Sequence, residues 1–146
     1  MTRMVDVSGK EVVKRTAKAK GELVLKPSTL RAIAKGTVKK GDVLSASKIA
    51  GIQAAKATST ILPLCHQIPL TSIDIDFYVG KDRLRCECSV SAEYKTGVEM
   101  EALVGVTAAL LNAWDMVKYI EKDSRGQYPE TRISGVGVIS KKKGGD

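Results

Sequence analysis

The sequence contains one histidine, one tryptophan, one phenylalanine and three cysteines in 146 residues. With a single imidazole, His66, among 24 lysines and arginines, proton chemistry is expected to fall mainly to other groups. Cys65, Cys86 and Cys88 form an odd and sparse set, which argues against a disulfide framework. No paired CxxC spacing occurs, so a zinc site from Cys65, His66, Cys86 and Cys88 is disfavoured. Cysteines alternating along a strand are expected as buried small hydrophobes instead. No apolar run approaches the ~20 residues needed to span a bilayer, and the opening MTRMVDVSGKEVVKR lacks the apolar segment of a secretory signal. The expected location is therefore the cytoplasm, with no membrane partner. There is also no repeat, low-complexity linker or composition break. The expectation is one domain over residues 1–146, ending in a flexible tail at Lys141–Asp146.

What the chain has in abundance is positive charge, and it is unevenly placed. The net charge of +8 resides in residues 1–50, while residues 51–146 are balanced. Such a block attracts phosphate on a nucleic acid, a membrane or a small nucleotide, unless it is simply a solvated basic face.

The order of elements follows from periodicity. Val12 to Leu25 alternates small or apolar residues with basic ones and reads as a strand. Pro27 and Ser28 open a short helix that stops near Gly36. Asp42 is a good N-cap for a second helix, whose apolar positions Val43, Ile49, Ile52 and Ala55 run on towards Thr60 before Pro63. SIDIDFYV and RLRCECSV alternate strictly around the turn Gly80-Lys81-Asp82 and read as a hairpin. Thr96 and Glu99 form a capping-box pattern ahead of a long apolar-periodic run from Val98 to about Glu121. Thr131 to Ser140 is the last strand. Strand, helices, two strands, helix, strand is the α+β, ferredoxin-like βαββαβ order, an antiparallel sheet with its helices on one face. The other face is then solvated or covered, and a partner subunit is the favoured cover because Ile73, Ile75, Leu84 and Cys86 fill only one side.

This arrangement serves many activities, so function has to be read from sites. Lys39 and Lys40 precede the N-terminus of the second helix, where free backbone N–H groups and two amines would suit an oligophosphate; crowding there should lower a lysine's pKa. His66, in Leu64-Cys65-His66-Gln67, occupies a loop that could face a pocket. Glu99, Met100 and Glu101 open the long helix, and carboxylates there suit the N–H edge of an amino-pyrimidinone better than phosphate. Asp115 and Lys118, spaced i, i+3, make either a surface ion pair or a compact acid–base pair. Glu101 and Asp115 lie on nearly the same helix face but roughly 21 Å apart, at about 1.5 Å per residue. One small ligand cannot span both ends in one chain, so a site using both would be completed across a subunit interface.

The motifs MVDVSGK, KKGDVLSASKIAGIQAAK, LPLCHQIPL, KTGVEMEAL and WDMVKYIEKD, with a Gly- and Lys-rich end, resemble the MoaC family of cyclic pyranopterin monophosphate synthases of molybdenum cofactor biosynthesis. The resemblance covers almost the whole chain. It implies a ferredoxin-like hexamer, a trimer of dimers with sites at subunit interfaces. Its activity would be a lyase reaction, converting the cyclised dihydroguanosine triphosphate made by a radical-enzyme partner to cyclic pyranopterin monophosphate and pyrophosphate. It further implies Asp115, Lys118 and Lys40 as catalytic, and Leu64, Cys65, His66, Met100, Glu101, Glu99 and Arg15 as substrate-binding. Lys48 is expected to join Lys40, Arg15 and His66 on the phosphates. No motif requires a metal or cofactor, although magnesium could accompany the triphosphate. The chain departs from the family in Gln67, where members commonly have proline, and in its short tail, which leaves open whether Lys141, Lys142 or Lys143 meets phosphate. Two rival classes remain: a nucleic-acid-binding module and an assembly scaffold. The first is disfavoured because the strands offer only Phe77, Tyr78 and Tyr94 and no glycine–aromatic RNP pattern.

Overall fold

A computed structural model describes residues 1–144. The elements run β1 (Val13–Val24), α1 (Pro27–Lys35), α2 (Val43–Lys56), the single turn α3 (Thr58–Ile61), β2 (Leu70–Val79), β3 (Arg83–Tyr94), α4 (Glu99–Glu121) and β4 (Arg132–Lys143). The strands form one sheet in the order β2-β3-β1-β4, with every neighbouring pair antiparallel. Each helical crossover thus joins two parallel strands separated by one other, which is the ferredoxin-like arrangement expected.

Alternation builds the core. In β1, Arg15, Ala17, Ala19, Gly21 and Leu23 turn inward, and in β3 Leu84, Cys86, Cys88, Val90 and Ala92 do the same. Over them lies α4, burying Ala102, Val106, Ala109, Leu110, Ala113 and Val117. By length and composition α4 could cross a membrane, which the sequence reading did not anticipate. Here its apolar side is core against β1 and β3.

Two glycines allow close approach to α4: Gly51 of α2 packs against it and against Ile75, and Gly105 lets α4 itself pack onto β3. A Cβ on Gly51 would stand 2.8 Å from the Gly105 carbonyl oxygen, and one on Gly105 would stand 2.8 Å from Cys88 Sγ. Beside this contact the Asn112 side chain donates to Ser47 Oγ at 3.1 Å.

The helix ends differ from expectation in instructive ways. Asp42 caps α2 as expected, accepting the Ser45 N–H at 3.1 Å and the Ser45 hydroxyl at 2.8 Å. The α4 capping box does not form: Val98 is the N-cap and no side chain caps the helix. Glu99 turns instead to Lys141 of β4, 3.2 Å away. The N-cap of α1, Lys26, also lacks a side-chain cap, and a residue from α4 takes over. Glu121, fully buried, accepts the Lys26 N–H at 3.1 Å, the Thr29 hydroxyl, and the Thr131 hydroxyl at 2.6 Å.

Two further expectations change. Lys141–Lys143 are not a flexible tail: they extend β4, with Lys141 opposite Ala17 and Lys143 opposite Arg15, and the Gly144 N–H donates to the Lys14 carbonyl at 2.8 Å. The remainder of the expected tail, residues 145–146, lies outside the described residues. The open sheet face is not apolar. It carries Lys18–Glu87 at 3.1 Å, Arg83–Glu22 at 2.7 Å and Arg85–Glu87 at 2.8 Å, so its composition suits water and does not itself demand a covering subunit.

Candidate functional site

Two groups of expected site residues emerge at opposite ends of α4. The first is centred on Asp115. Lys118 Nζ lies 2.9 Å from its Oδ1 and Lys40 Nζ 3.0 Å from its Oδ2, so the carboxylate is shared by two ammonium groups. Lys118 comes from the next turn of α4. Lys40 comes from the loop between α1 and α2, held against α4 by a second contact in which the Lys39 N–H donates to Tyr119 Oη at 2.8 Å.

Electrostatics follow from this sharing. Hydrogen bonds from Lys118 and then Lys40 hold the Asp115 carboxyl below its ordinary range. Asp115 in turn raises Lys118 above the ordinary lysine value. At the α2 N-terminus the Asp42 carboxylate takes the Ser45 N–H. What the cluster offers near neutral pH is a fixed anion flanked by two proton donors.

The second group surrounds the start of α4. Glu101 is only 2% exposed, and among the described residues its Oε1 has no partner, nor has Glu99 Oε2. Cys65 Sγ sits 4.0 Å from Glu101 Oε2. Burial, followed by the charge of Glu99, raises the Glu101 carboxyl. Burial, then Glu101 and Glu99, raises the Cys65 thiol. Buried Glu101 and partly buried Glu99 each present an unpaired carboxyl oxygen, which suits the N–H donors expected of an amino-pyrimidinone edge.

His66 is beside this pair but engaged elsewhere, with Nε2 2.6 Å from the Val5 carbonyl oxygen. Residues Met4–Ser8, with His66, Tyr94 and Lys95, line a cavity of about 410 Å³. Arg15 is buried and donates to the Tyr94 and Lys95 carbonyls at 3.4 and 3.1 Å, which leaves part of its guanidinium free. Met100 and Leu64 are exposed, Met100 against the apolar groove of Ile61, Leu62, Leu103 and Leu111. Lys48 joins neither group and lines a separate cleft between α2 and β2 with Asp76 and Phe77. Cys86 and Cys88 are fully buried under α4, and burial pushes both thiols up to about 12. Among the described residues no three His, Cys, Asp or Glu side chains converge to hold a metal ion.

The model of the MoaC family matches residues 4–145. The chain belongs to the MoaC family. A probable cyclic pyranopterin monophosphate synthase of Thermococcus kodakarensis is 56% identical over 142 residues, covering 97% of this chain and 91% of the relative. One of the same name from Thermoplasma acidophilum is 50% identical over 140 residues, covering 96% and 98%. A relative from Methanothermobacter thermautotrophicus, named a probable cyclic pyranopterin monophosphate synthase accessory protein, is 51% identical over 141 residues, covering 97% and 89%.

In this MoaC chain the structure brings Lys40, Asp115 and Lys118 to one place and Cys65, Glu99 and Glu101 to another, whereas the sequence reading paired Asp115 with Lys118 and set Lys40 with Arg15, Lys48 and His66. It missed Tyr119, the Val5 carbonyl on His66, and Lys141 on Glu99. Their partners lie between 42 and 80 residues away along the chain, so no local pattern announces them. The one available hint for Tyr119 is its i, i+4 spacing from Asp115, which puts both on one helix face.

Proposed function

We propose that this chain is a cyclic pyranopterin monophosphate synthase, a phosphorus–oxygen lyase of molybdenum cofactor biosynthesis. It converts 3',8-cyclo-7,8-dihydroguanosine 5'-triphosphate to cyclic pyranopterin monophosphate and pyrophosphate. The observation that carries this reading is Asp115 held between Lys118 and Lys40, in a chain whose relatives bear that name over nearly its whole length.

In this reading Asp115, Lys118 and Lys40 are catalytic. Lys118 delivers protons during ring opening and pterin formation, with Asp115 as the anion that orients its ammonium group and tunes its proton affinity. Lys40 shares that carboxylate and offers its remaining N–H donors to the α-phosphate. A ribose-derived hydroxyl attacks the α-phosphorus, the new P–O bond closes the cyclic phosphate, and the bond to the departing pyrophosphate breaks. Two ammonium groups beside the phosphate stabilise the charge that builds on its oxygens.

Glu101 and Glu99 read the amino-pyrimidinone edge, with Leu64, Cys65, His66 and Met100 lining the site and Arg15 contributing cationic donors. Magnesium enters only as a companion of the triphosphate. The two groups are separated by the length between Glu101 and Asp115, roughly 21 Å at about 1.5 Å per helical residue. The reading therefore includes a cytoplasmic hexamer, a trimer of dimers, in which the Asp115 group of one subunit meets the Glu101 group of another. The upstream radical cyclase would supply the precursor.

The test is to incubate the purified protein with the cyclised triphosphate and assay pyrophosphate together with the oxidised, fluorescent pterin. Both products are expected. Intact precursor alongside folded protein would overturn the reading.

A further inference from the structure

Tyr119 lies one turn beyond Asp115 on α4 and faces the same loop. Its Oη accepts the Lys39 backbone N–H at 2.8 Å, and Lys39 Nζ stands 5.5 Å from the ring centroid. One residue further on, Lys40 Nζ reaches Asp115 Oδ2 at 3.0 Å and the Asp115 carbonyl oxygen at 3.5 Å. Asp115 and Tyr119 thus grip consecutive residues of one loop from consecutive turns of one helix.

The loop's other hydrogen bonds are short-range, Thr37 N–H to the Ala32 carbonyl and Gly41 N–H to the Val38 carbonyl, both at 3.0 Å. Gly36 and Gly41 both sit in the left-handed region, at φ 71° and 113°, and Val38 is the one buried side chain in residues 36–42. The Lys40–Asp115 pair is about half exposed on both sides. An exposed ion pair between flexible side chains holds its geometry weakly by itself. A hydrogen bond to the preceding peptide fixes the point from which the Lys40 side chain departs. The Tyr119 ring, 42% exposed, adds little to the core, so its contact with the loop is the more specific thing it does.

We infer that Tyr119 is a positioning residue, setting the Lys40 ammonium on Asp115 by holding the Lys39 peptide N–H. The inference rests on the proposed reading that Lys40 and Asp115 belong to the reacting site, and it goes beyond that reading in naming what aligns them. The groups facing the Asp115 carboxylate are Lys118 from its own helix and Lys40 from the loop, with Tyr128 next to Lys118.

The test uses the full chain with two readouts. One is steady-state turnover of the cyclised triphosphate by wild type and Tyr119→Phe. The other is the titration of the Asp115 carboxyl, followed by carbon NMR, in wild type, Tyr119→Phe, Lys40→Ala and the double variant. Tyr119→Phe keeps the ring and removes only the acceptor. It should lower kcat roughly ten- to a hundredfold, the upper figure being the scale of a misplacement of about 1 Å, with KM little changed. It should also move the Asp115 titration up towards its ordinary range. Lys40→Ala should move it up as well, and adding Tyr119→Phe to Lys40→Ala should do nothing more.

An Asp115 titration unchanged in Tyr119→Phe overturns the inference, whatever happens to activity. So does an equal shift with Lys40 absent, because a general loosening of the loop would give that result. If wild type turns nothing over while the titrations still couple Tyr119 to Lys40, the functional reading fails and the positioning role stands.

Discussion

Lys118 and Asp115 face each other across one turn of α4, with Nζ 2.9 Å from Oδ1, and the second carboxylate oxygen is left to Lys40. Asp115→Asn keeps the shape and removes the anion. Turnover should be abolished. Stability in urea should change by no more than about 1 kcal/mol, because both partners are half exposed. A loss of fold would place Asp115 among structural residues instead.

The same pair sets a pH profile. Asp115 is lowered, so its small stabilising contribution is present above the ordinary carboxylate pKa of about 3.9 and disappears as pH falls through the lower folded value. Lys118 is raised, so its contribution is present at and below the ordinary lysine value and is lost as pH climbs through the higher folded one. Turnover should accordingly show a broad plateau across neutrality. Any residual activity of Asp115→Asn should fall away at lower alkaline pH than wild type, since Lys118 has lost what raised it. An unmoved alkaline limb would separate Lys118 from the chemistry.

Glu121 answers a different question, that of how α1 is held. Glu121→Ala would leave the Lys26 N–H and the Thr29 and Thr131 hydroxyls without their shared acceptor. The expected cost is about 3 kcal/mol or more, read as a fall in the urea midpoint at constant slope. Glu121→Gln retains one acceptor oxygen and should lose clearly less. Equal losses would mean that packing, not hydrogen bonding, is the role of this side chain.

Glycine substitutions should divide by position. Ordinarily Gly→Ala in a helix gains about 1 kcal/mol of propensity, but at Gly51 or Gly105 the new methyl meets a carbonyl oxygen or a thiol at 2.8 Å. Overpacking should win, with a net loss of roughly 1–3 kcal/mol by calorimetry or urea. Gly137→Ala meets no atom within 4 Å and should be close to neutral.

Thiol chemistry offers a last check. At pH 8, Cys86 and Cys88, both buried and pushed up to about 12, should resist alkylation in the folded protein. Cys65 should react slowly, and faster in Glu101→Gln, because removing a carboxylate that raises the thiol frees more thiolate. Fast alkylation at all three positions in native protein would contradict the buried strand.

Much of this was legible from periodicity alone. The alternation of Ala17, Ala19 and Leu23, and of Leu84, Cys86, Cys88 and Val90, specified which strand faces are inner. Pro27, Gly36 and Asp42 marked helix ends through backbone chemistry that operates over a few residues. Illegible were the choices made between distant groups. Glu99 has the spacing of a capping box yet turns to Lys141, and Lys26 is capped by Glu121 from the far end of another helix. Lys40 could be suspected from its neighbours, but that it shares Asp115 with Lys118 depends on how the loop between α1 and α2 folds back on α4. The lysines that end the chain look like a tail in composition and become strand because β1 offers them an unpaired edge.

The charged face of the sheet has a consequence for how the strands find each other. A slip of one residue between β1 and β3 would turn Lys18, Lys20 and Glu22 towards α4 and expose Ala17, Ala19 and Leu23. Lys20 or Glu22 would then fall where Gly21 now lets Val106 and Leu110 come close, and no side chain fits there. The alternation of Lys18, Lys20 and Glu22 with Ala17, Ala19, Gly21 and Leu23 thus specifies the register, since a misaligned β1 carries its own energetic penalty.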